Sequence, residues 1–463
     1  MIFNVLASNK NWHKYSLEEI CLKVTSGGTP SRKNPKLYEN GDINWVKTKE
    51  LNNGYIWESE EKITEEAVRK SSAKLLPVNT ILLAMYGATV GELGVLGKEM
   101  ACNQACCALI IDPKKADYRF IFYLLRLYKK EIQSLATGAA QQNLSAKTIK
   151  EFCFYIPSLE KQTEIADILS ELDKKIELNT QINQTLEQIA QALFKSWFVD
   201  FDPVRAKVQA LSDGLSLEQA ELAAMQAISG KTPEELTALS QTQPDRYAEL
   251  AETAKAFPCE MVEVDGGEVP KGWEMKALSD LGQIICGKTP SKSNKEFFGD
   301  DVPFIKIPDM HNQVFITQTT DNLSVVGANY QSKKYIPAKS ICVSCIATVG
   351  LVSMTSKPSH TNQQINSIIP DDEQSCEFLY LSLKQPSMTK YLKDLASGGT
   401  ATLNLNTSTF SKIEIITPSK EIIYIFQKKV VSIFEKTLSN SIENKRLTEI
   451  RDLLLPRLLN GEI

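Results

Sequence analysis

A chain of 463 residues is about three times a typical domain, so it should hold two or more. Hydrophobic residues make up 43% and charged residues 23%, and no apolar run reaches the roughly 18 residues that a membrane span needs. The opening MIFNVLASNK lacks the basic-then-apolar pattern of a secretory signal, and ten cysteines are too sparse for a disulfide scaffold; a cytoplasmic protein with reduced thiols and no membrane contact is expected. The formal net charge of −4 averages over unlike segments: residues 1–157 carry +5, 158–269 carry −12, 270–418 carry +1 and 419–463 carry +2. The acidity is confined to the centre, so the average does not exclude a nucleic-acid surface on the flanks.

In chain order, the first 157 residues mix short apolar runs with turns. Thr80–Tyr86 predicts a buried strand, and Tyr118–Leu135 predicts a helix with Phe120, Ile121, Leu124, Leu125 and Tyr128 at helical spacing. A long helix follows over 158–205. Ile165, Leu172, Asn179, Leu186 and Leu193 recur every seven residues, and Ile168, Leu169, Ile176, Ile182, Ile189 and Trp197 are expected to fill the second seam position. From Ile165 to Trp197 such a rod is roughly 50 Å long. Residues 206–268 are Ala/Glu-rich and predict an insert of short helices, one opening with the capping box Thr232-Pro233-Glu234-Glu235.

The remainder repeats the beginning. Thr29-Pro30-Ser31 recurs as Thr289-Pro290-Ser291, Trp45-Val46-Lys47 as Phe304-Ile305-Lys306, and Ala88-Thr89-Val90-Gly91 as Ala347-Thr348-Val349-Gly350. Asn103-Gln104 recurs as Asn362-Gln363, Asn143-Leu144 as Asn404-Leu405, and Pro157-Ser158 as Pro418-Ser419. Leu135-Ala136-Thr137-Gly138 recurs as Leu395-Ala396-Ser397-Gly398. All offsets are 259 to 261, too long for a solenoid, so the chain is a duplicated unit of domain plus helix. The second domain spans 269–418 and the second helix 419–463, where Phe426, Ile433, Asn440, Leu447 and Leu454 repeat the heptad at an offset of 261. The expected fold class is α+β: two similar domains joined by two long helices packed as an antiparallel coiled coil with pseudo-two-fold symmetry. Asn179 is expected to face Asn440, Ile165 to face Leu454 and Leu193 to face Phe426, with the buried amides penalising slipped registers.

Motifs for chemistry are few. Gly282-Gln283-Ile284-Ile285-Cys286-Gly287-Lys288-Thr289 fits G-x-x-x-x-G-K-[ST], so a nucleotide-binding P-loop is the alternative function. Against it, Gln-Ile-Ile-Cys has strand character, Pro290 follows at once, and the first repeat has Gly28 where the lysine should be. Cys342-Val343-Ser344-Cys345 is a lone CxxC with only His13, His311 and His360 elsewhere, so buried strand cysteines are expected and no metal site. Neither a methyltransferase Asn/Asp-Pro-Pro-aromatic loop nor a nuclease carboxylate–lysine cluster is evident. No catalytic residue is expected: the chain binds and positions.

The segment Leu193–Val204 (LFKSWFVDFDPV) resembles the specificity subunits of type I restriction-modification enzymes. So do Pro157-Ser158-Leu159-Glu160 with Gln162 and Ile165, the closing IRDLLLPRLLNGEI, and Val269-Pro270-Lys271-Gly272-Trp273 with a weaker version at Trp12-His13-Lys14. The resemblance covers all but the 206–268 insert; it departs at Pro418-Ser419-Lys420-Glu421, which lacks the Glu-Gln pair. It implies two target-recognition domains (1–157 and 269–418), each reading one part of a split, asymmetric site in double-stranded DNA. It also implies conserved helical regions (158–205 and 419–463) that act as spacer and bind two methyltransferase subunits. Restriction/translocase subunits would join through these. S-adenosylmethionine, ATP and Mg are then expected on the partners, with no cofactor on this chain.

Base reading is done by Arg/Lys, Asn/Gln and Ser/Thr. The candidates in the first domain are Ser31, Arg32, Lys33, Tyr86, Thr89, Gln104, Gln141 and Gln142. In the second they are Ser291, Lys292, Ser293, Lys295, Thr348, Gln363, Gln364 and Thr400. Gln104 and Gln363 are shared by both repeats, so a turn-closing role competes with reading. Trp197, Phe198, Asp200 and Phe201 are candidates for the methyltransferase contact, against a helix-end core cluster.

Overall fold

Alternation along Ile81–Ala84 sets the layering of the first domain. Ile81 and Leu83 point to one side, into a core with Phe120, Ile121 and Leu124 of the helix Tyr118–Leu127. Leu82 and Ala84 point to the other, onto Val46, Leu51 and Ile56. That is the period of two that a strand imposes, with both faces covered. The computed structural model describes residues 12–136, 143–264, 267–397 and 403–463. These form two units, Met1–Ile176 with Arg446–Ile463, and Glu177–Lys445.

In the first unit a five-stranded sheet has the order Cys21–Ser26, Cys106–Ile111, Ile81–Ala84, Leu93–Leu96, Tyr55–Ile56. A three-stranded sheet runs Lys62–Ile63, Ile43–Val46, Ala101–Cys102. His13–Ser16 pairs antiparallel with Cys153–Ile156, closing the domain on its own ends. The second unit repeats this order, with one added short strand, Phe298–Gly299, in its second sheet. Its five-stranded sheet is Gly282–Cys286, Ile365–Pro370, Ile341–Ser344, Val352–Thr355, Phe315–Ile316. Its second sheet contains Asp321–Leu323, Val302–Ile305 and His360–Thr361, and Glu274–Ala277 pairs with Glu414–Thr417. Parallel pairs occur in both, at Trp45↔Ala101 and Phe304↔His360, so the sheets are mixed. The expected helix at 118–135 is broken in two, and so is its counterpart in the second unit, Cys376–Lys384 and Pro386–Ala396, by Pro386. The insert is helical at Asp202–Ser212, Leu217–Ser229, Pro233–Thr242 and Pro244–Ala256, with the Thr232 capping box formed. It ends in the hairpin strands Met261–Val264 and Gly267–Pro270.

Two helices of 40 residues, Leu159–Phe198 and Lys420–Leu459, each contribute to both units. In the first unit the start of one packs with the end of the other: Ile165 and Leu169 share a core with Leu455, Leu458 and Leu459, and Arg451 donates to Asp173 at 2.6 Å. In the second, Phe194 meets Phe426 at a ring distance of 6.0 Å. The segments are therefore antiparallel within each unit.

The register differs from the sequence expectation by one helical turn. Asn179 and Asn440 are both buried, yet they do not face one another. Asn179 Nδ2 donates to Asn444 Oδ1 at 2.9 Å, and Asn440 Nδ2 donates to Asn183 Oδ1 at 2.9 Å. The cause lies in the second seam position. Ile168 and Ile189 are exposed, and the seam is instead filled by Leu169, Ile176, Asn183, Ala190 and Trp197, four residues after each first-position residue. An antiparallel pair brings the first position of one helix against the second position of the other. Asn183 and Asn444 sit there, also 261 apart, so the four amides pair off in two equivalent bonds. Asn183→Cys combined with Asn440→Cys should therefore form a disulfide on oxidation, while Asn179→Cys with Asn440→Cys should stay reduced, as read by thiol titration.

Candidate nucleic-acid interface

Four chain segments of each unit converge because the sheet ends there and their backbone groups must find partners. In the first unit Gly27 N donates to Cys106 O at 3.2 Å, Met85 N to Ala105 O at 2.8 Å, and Leu144 N to Met85 O at 2.9 Å. Tyr86 bridges to Asn143. In the second unit Gly287 N donates to Ile365 O at 3.1 Å, Cys345 N to Gln364 O at 2.8 Å, and Leu405 N to Cys345 O at 2.8 Å. Ile346 bridges to Asn404. The candidates of each domain are thus drawn together by the same scaffold, apart from Gln141, Gln142 and Thr400, which lie outside the described residues.

The shared residues and the unshared ones play different parts. Thr29 Oγ1 donates to Gln104 Oε1, and Thr289 Oγ1 donates to Gln363 Oε1 at 2.6 Å. Asn103 and Asn362 accept from the backbone N–H two residues on, at 3.2 and 3.1 Å. Gln104 and Gln363 therefore tie the loop down, as the turn-closing reading has it, although both remain exposed. Beyond that tie, Ser31, Lys33, Ser291, Lys292, Ser293 and Lys295 are exposed. Lys33, Lys292 and Lys295 make no ion pair among the described residues. Arg32 is folded back: its guanidinium lies 4.4 Å from the Tyr38 ring and 2.6 Å from Glu61. Tyr38, which the sequence did not single out, also donates to Pro30 O at 2.6 Å. Ser291 and Ser293 bond to each other at 2.7 Å. Tyr86, Thr89 and Gln364 are half-buried, and Thr348 is exposed.

The P-loop alternative is overturned. Gly282–Cys286 is an edge strand in register with Ile365–Pro370, so its successive amides point to opposite sides and cannot converge on a phosphate. Gly287 is a glycine because a Cβ there would lie 2.2 Å from Asn362 O. Cys342 and Cys345 are buried in and beside a strand, and burial pushes their thiols up to about 12 and 11, so they stay protonated.

The proposed methyltransferase contact requires correction. Trp197, Phe198 and Phe201 are buried in the core of the second unit. Trp197 lies 5.1 Å from Phe257 and 5.7 Å from Phe426, and Phe198 lies 4.9 Å from Phe426. Phe201 turns the chain with φ 57°, held 5.6 Å from Trp273. A helix-end core explains the motif; Asp200, paired with Lys195, is the half-exposed member. Phe198 and Phe201 do line a 470 Å³ groove with Val264, Met275 and Met388.

Both repeats, residues 9–188 and 270–452, match the type I restriction modification DNA specificity domain, and the chain belongs to that family of specificity subunits. It is 85% identical over 354 residues to the type I restriction enzyme HindI specificity subunit of Haemophilus influenzae, a match covering 74% of this chain and 77% of that one. It is 27% identical to the MjaIX specificity subunit of Methanocaldococcus jannaschii, covering 98% and 94%. The fold is similar to the crystal structure of a type I restriction-modification S subunit from M. genitalium, with a TM-score of 0.54 at 17% identity over 98% of this chain and 97% of that one. Among the described residues no helix is long and apolar enough to cross a membrane.

Beneath the second interface lies His360, fully buried with Tyr335 edge-on at 4.6 Å; burial lowers its pKa to about 4. The unfolded imidazole titrates near 6.5, so the unfolded chain binds the proton first. Stability should be level above about pH 6.5 and fall between there and about pH 4, by up to ~1.4 kcal/mol per pH unit. Denaturation midpoints at pH 7 and 5 should differ less in His360→Asn than in the parent; equal differences would assign the loss to other groups.

Proposed function

We propose that this chain is the sequence-reading subunit of a type I restriction-modification complex, in which each domain reads one part of a split, asymmetric DNA site. The observation that carries the reading is a contrast within the duplication. The two interfaces have the same backbone scaffold and the same Thr–Gln tie, but unlike exposed tips, Ser-Arg-Lys against Ser-Lys-Ser. A common frame with divergent tips suits two readers of different sequences. Lysines without ion pairs can neutralise phosphates, and Ser, Gln and Arg can contact base edges.

The long helices are the spacer in this reading. Forty residues span about 60 Å, enough to set half-sites one DNA turn of ~34–36 Å apart. They also dock two methyltransferase subunits, which bring the restriction/translocase subunits. Methyl transfer, ATP hydrolysis and cleavage belong to those partners, with S-adenosylmethionine, ATP and Mg bound there. The P-loop match carries no second reading, because the amides of its extended strand alternate in direction and cannot converge on a phosphate.

Replacing residues 1–157 by the equivalent of another family member should change one half of the methylated motif and leave the other intact. Changes in both halves would show that the domains do not read independently. Inserting four residues into one of the long helices adds roughly 6 Å, close to two base pairs at about 3.4 Å each. The spacer should lengthen while both half-site sequences persist; a fixed spacer with an altered half-site would refute the ruler.

A further inference from the structure

The exposed tips leave the scaffold through one residue in each unit, Gly28 and Lys288. Both backbone polar groups of that residue are engaged. The N–H is treated alike: Gly28 N donates to Cys102 O at 2.9 Å, and Lys288 N to Thr361 O at 3.0 Å. The carbonyl is not. In the first unit the Trp45 indole Nε1 donates to Gly28 O at 2.9 Å. In the second the Gln331 amide Nε2 donates to Lys288 O at 3.1 Å.

These donors come from different places in the repeat. Strand register pairs Trp45 with Ala101 and Phe304 with His360, so Phe304 occupies the place of Trp45 and has no N–H. The helices Glu65–Lys70 and Val325–Tyr330 are equivalent, so Ser71 occupies the place of Gln331. Ser71 Oγ accepts from Ala73 N instead, at 3.0 Å. Volume has moved with the donor. Trp, Ala and Ser in one unit are replaced by Phe, His and Gln in the other. His360 Nδ1 lies 3.5 Å from Gln331 Nε2 and, with Tyr335 against its ring, seats the amide.

We propose that a side-chain N–H on this carbonyl positions the reading tip, supplied by Trp45 for Ser31–Lys33 and by Gln331, seated by His360, for Ser291–Lys295. The proposal rests on the reading that these tips face DNA. Two unrelated side chains reaching one equivalent atom locate the requirement at the carbonyl itself. Its direction fixes the peptide plane joining residues 28 and 29, or 288 and 289. The next residue is tied by its hydroxyl to Gln104 or Gln363, and the one after is a proline with fixed φ. Releasing the carbonyl lets the plane rotate and swings the tip on an otherwise rigid root. Trp45, Gln331 and His360 are thus positioning residues that touch no base.

The test uses the full chain assembled with its methyltransferase subunits, and measures binding to the target duplex and to duplexes with one base changed in either half. Gln331→Met should lower discrimination about tenfold in the half read by the second domain and leave the other half unchanged; Trp45→Phe should do the reverse. The combination Phe304→Trp, His360→Ala and Gln331→Ser rebuilds the first unit's arrangement in the second. It should return discrimination to within about twofold of the parent. Loss spread over both halves, or a rebuilt variant as poor as Gln331→Met, overturns the proposal, and the second comparison holds even if Gln331→Met folds poorly. Lys33→Ala and Lys292→Ala separate the two levels. If they weaken binding while folded anchor variants read normally, the anchors alone are refuted. If they leave binding intact, the tips do not face DNA and the positioning role falls with them.

Discussion

A loop that must vary at its tip can do so only if its root satisfies its own polar groups. The structure meets this constraint twice. Each root is bound by its backbone N–H, by its carbonyl and by a threonine hydroxyl, and none of these bonds involves the tip. A buried amide or carbonyl left unpaired costs about 1–3 kcal/mol, so a tip substitution that disturbed the root would be expensive. With the root secured, Ser-Arg-Lys can become Ser-Lys-Ser without repacking the sheet below. The glycines follow from the same closeness: a Cβ on Gly27 would sit 2.1 Å from Cys102 O, as one on Gly287 would sit 2.2 Å from Asn362 O.

The helix seam applies the same logic to register. Asn179 with Asn444 and Asn440 with Asn183 form two equivalent bonds in the seam. Asn179 also donates to Glu443 at 2.8 Å, and Asn183 to Ser441 at 3.1 Å. A slip of one heptad would set an amide against Leu172 or Leu186, exchanging hydrogen bonds for hydrocarbon. The seam therefore trades some apolar burial for a single alignment. That trade suits the proposed use of the helices as a spacer.

Much of the fold was legible because duplication amplifies weak signals. The strand at 81–84 followed from its apolar run and the two long helices from their heptads and common offset, the capping box at Thr232 from its local motif, while the antiparallel sense of the seam rested on the expected two-fold arrangement. The seam register did not, because apolar Ile168 and Ile189 outcompeted polar Asn183 in a reading weighted to hydrophobicity. The signal was available: Asn183 and Asn444 repeat at the same offset as Asn179 and Asn440. The aromatic run Trp197–Phe201 was open to a surface or a core reading, since composition cannot say which neighbour covers a ring; Phe257, Trp273 and Phe426 cover it from remote segments. The anchors were hidden for the opposite reason. Trp45 and Phe304 aligned as equivalents, and the loss of an N–H between them made sense only once Gln331 appeared on the same carbonyl.

In the proposed function, two similar domains on one chain read two different halves of one DNA site. Sequencing the DNA methylation of cells with and without this chain tests it most directly. A motif of two unlike specific halves separated by unspecified bases, methylated only when the chain is present, is the predicted result. A continuous or perfectly palindromic motif, or methylation indifferent to the chain, would contradict the account.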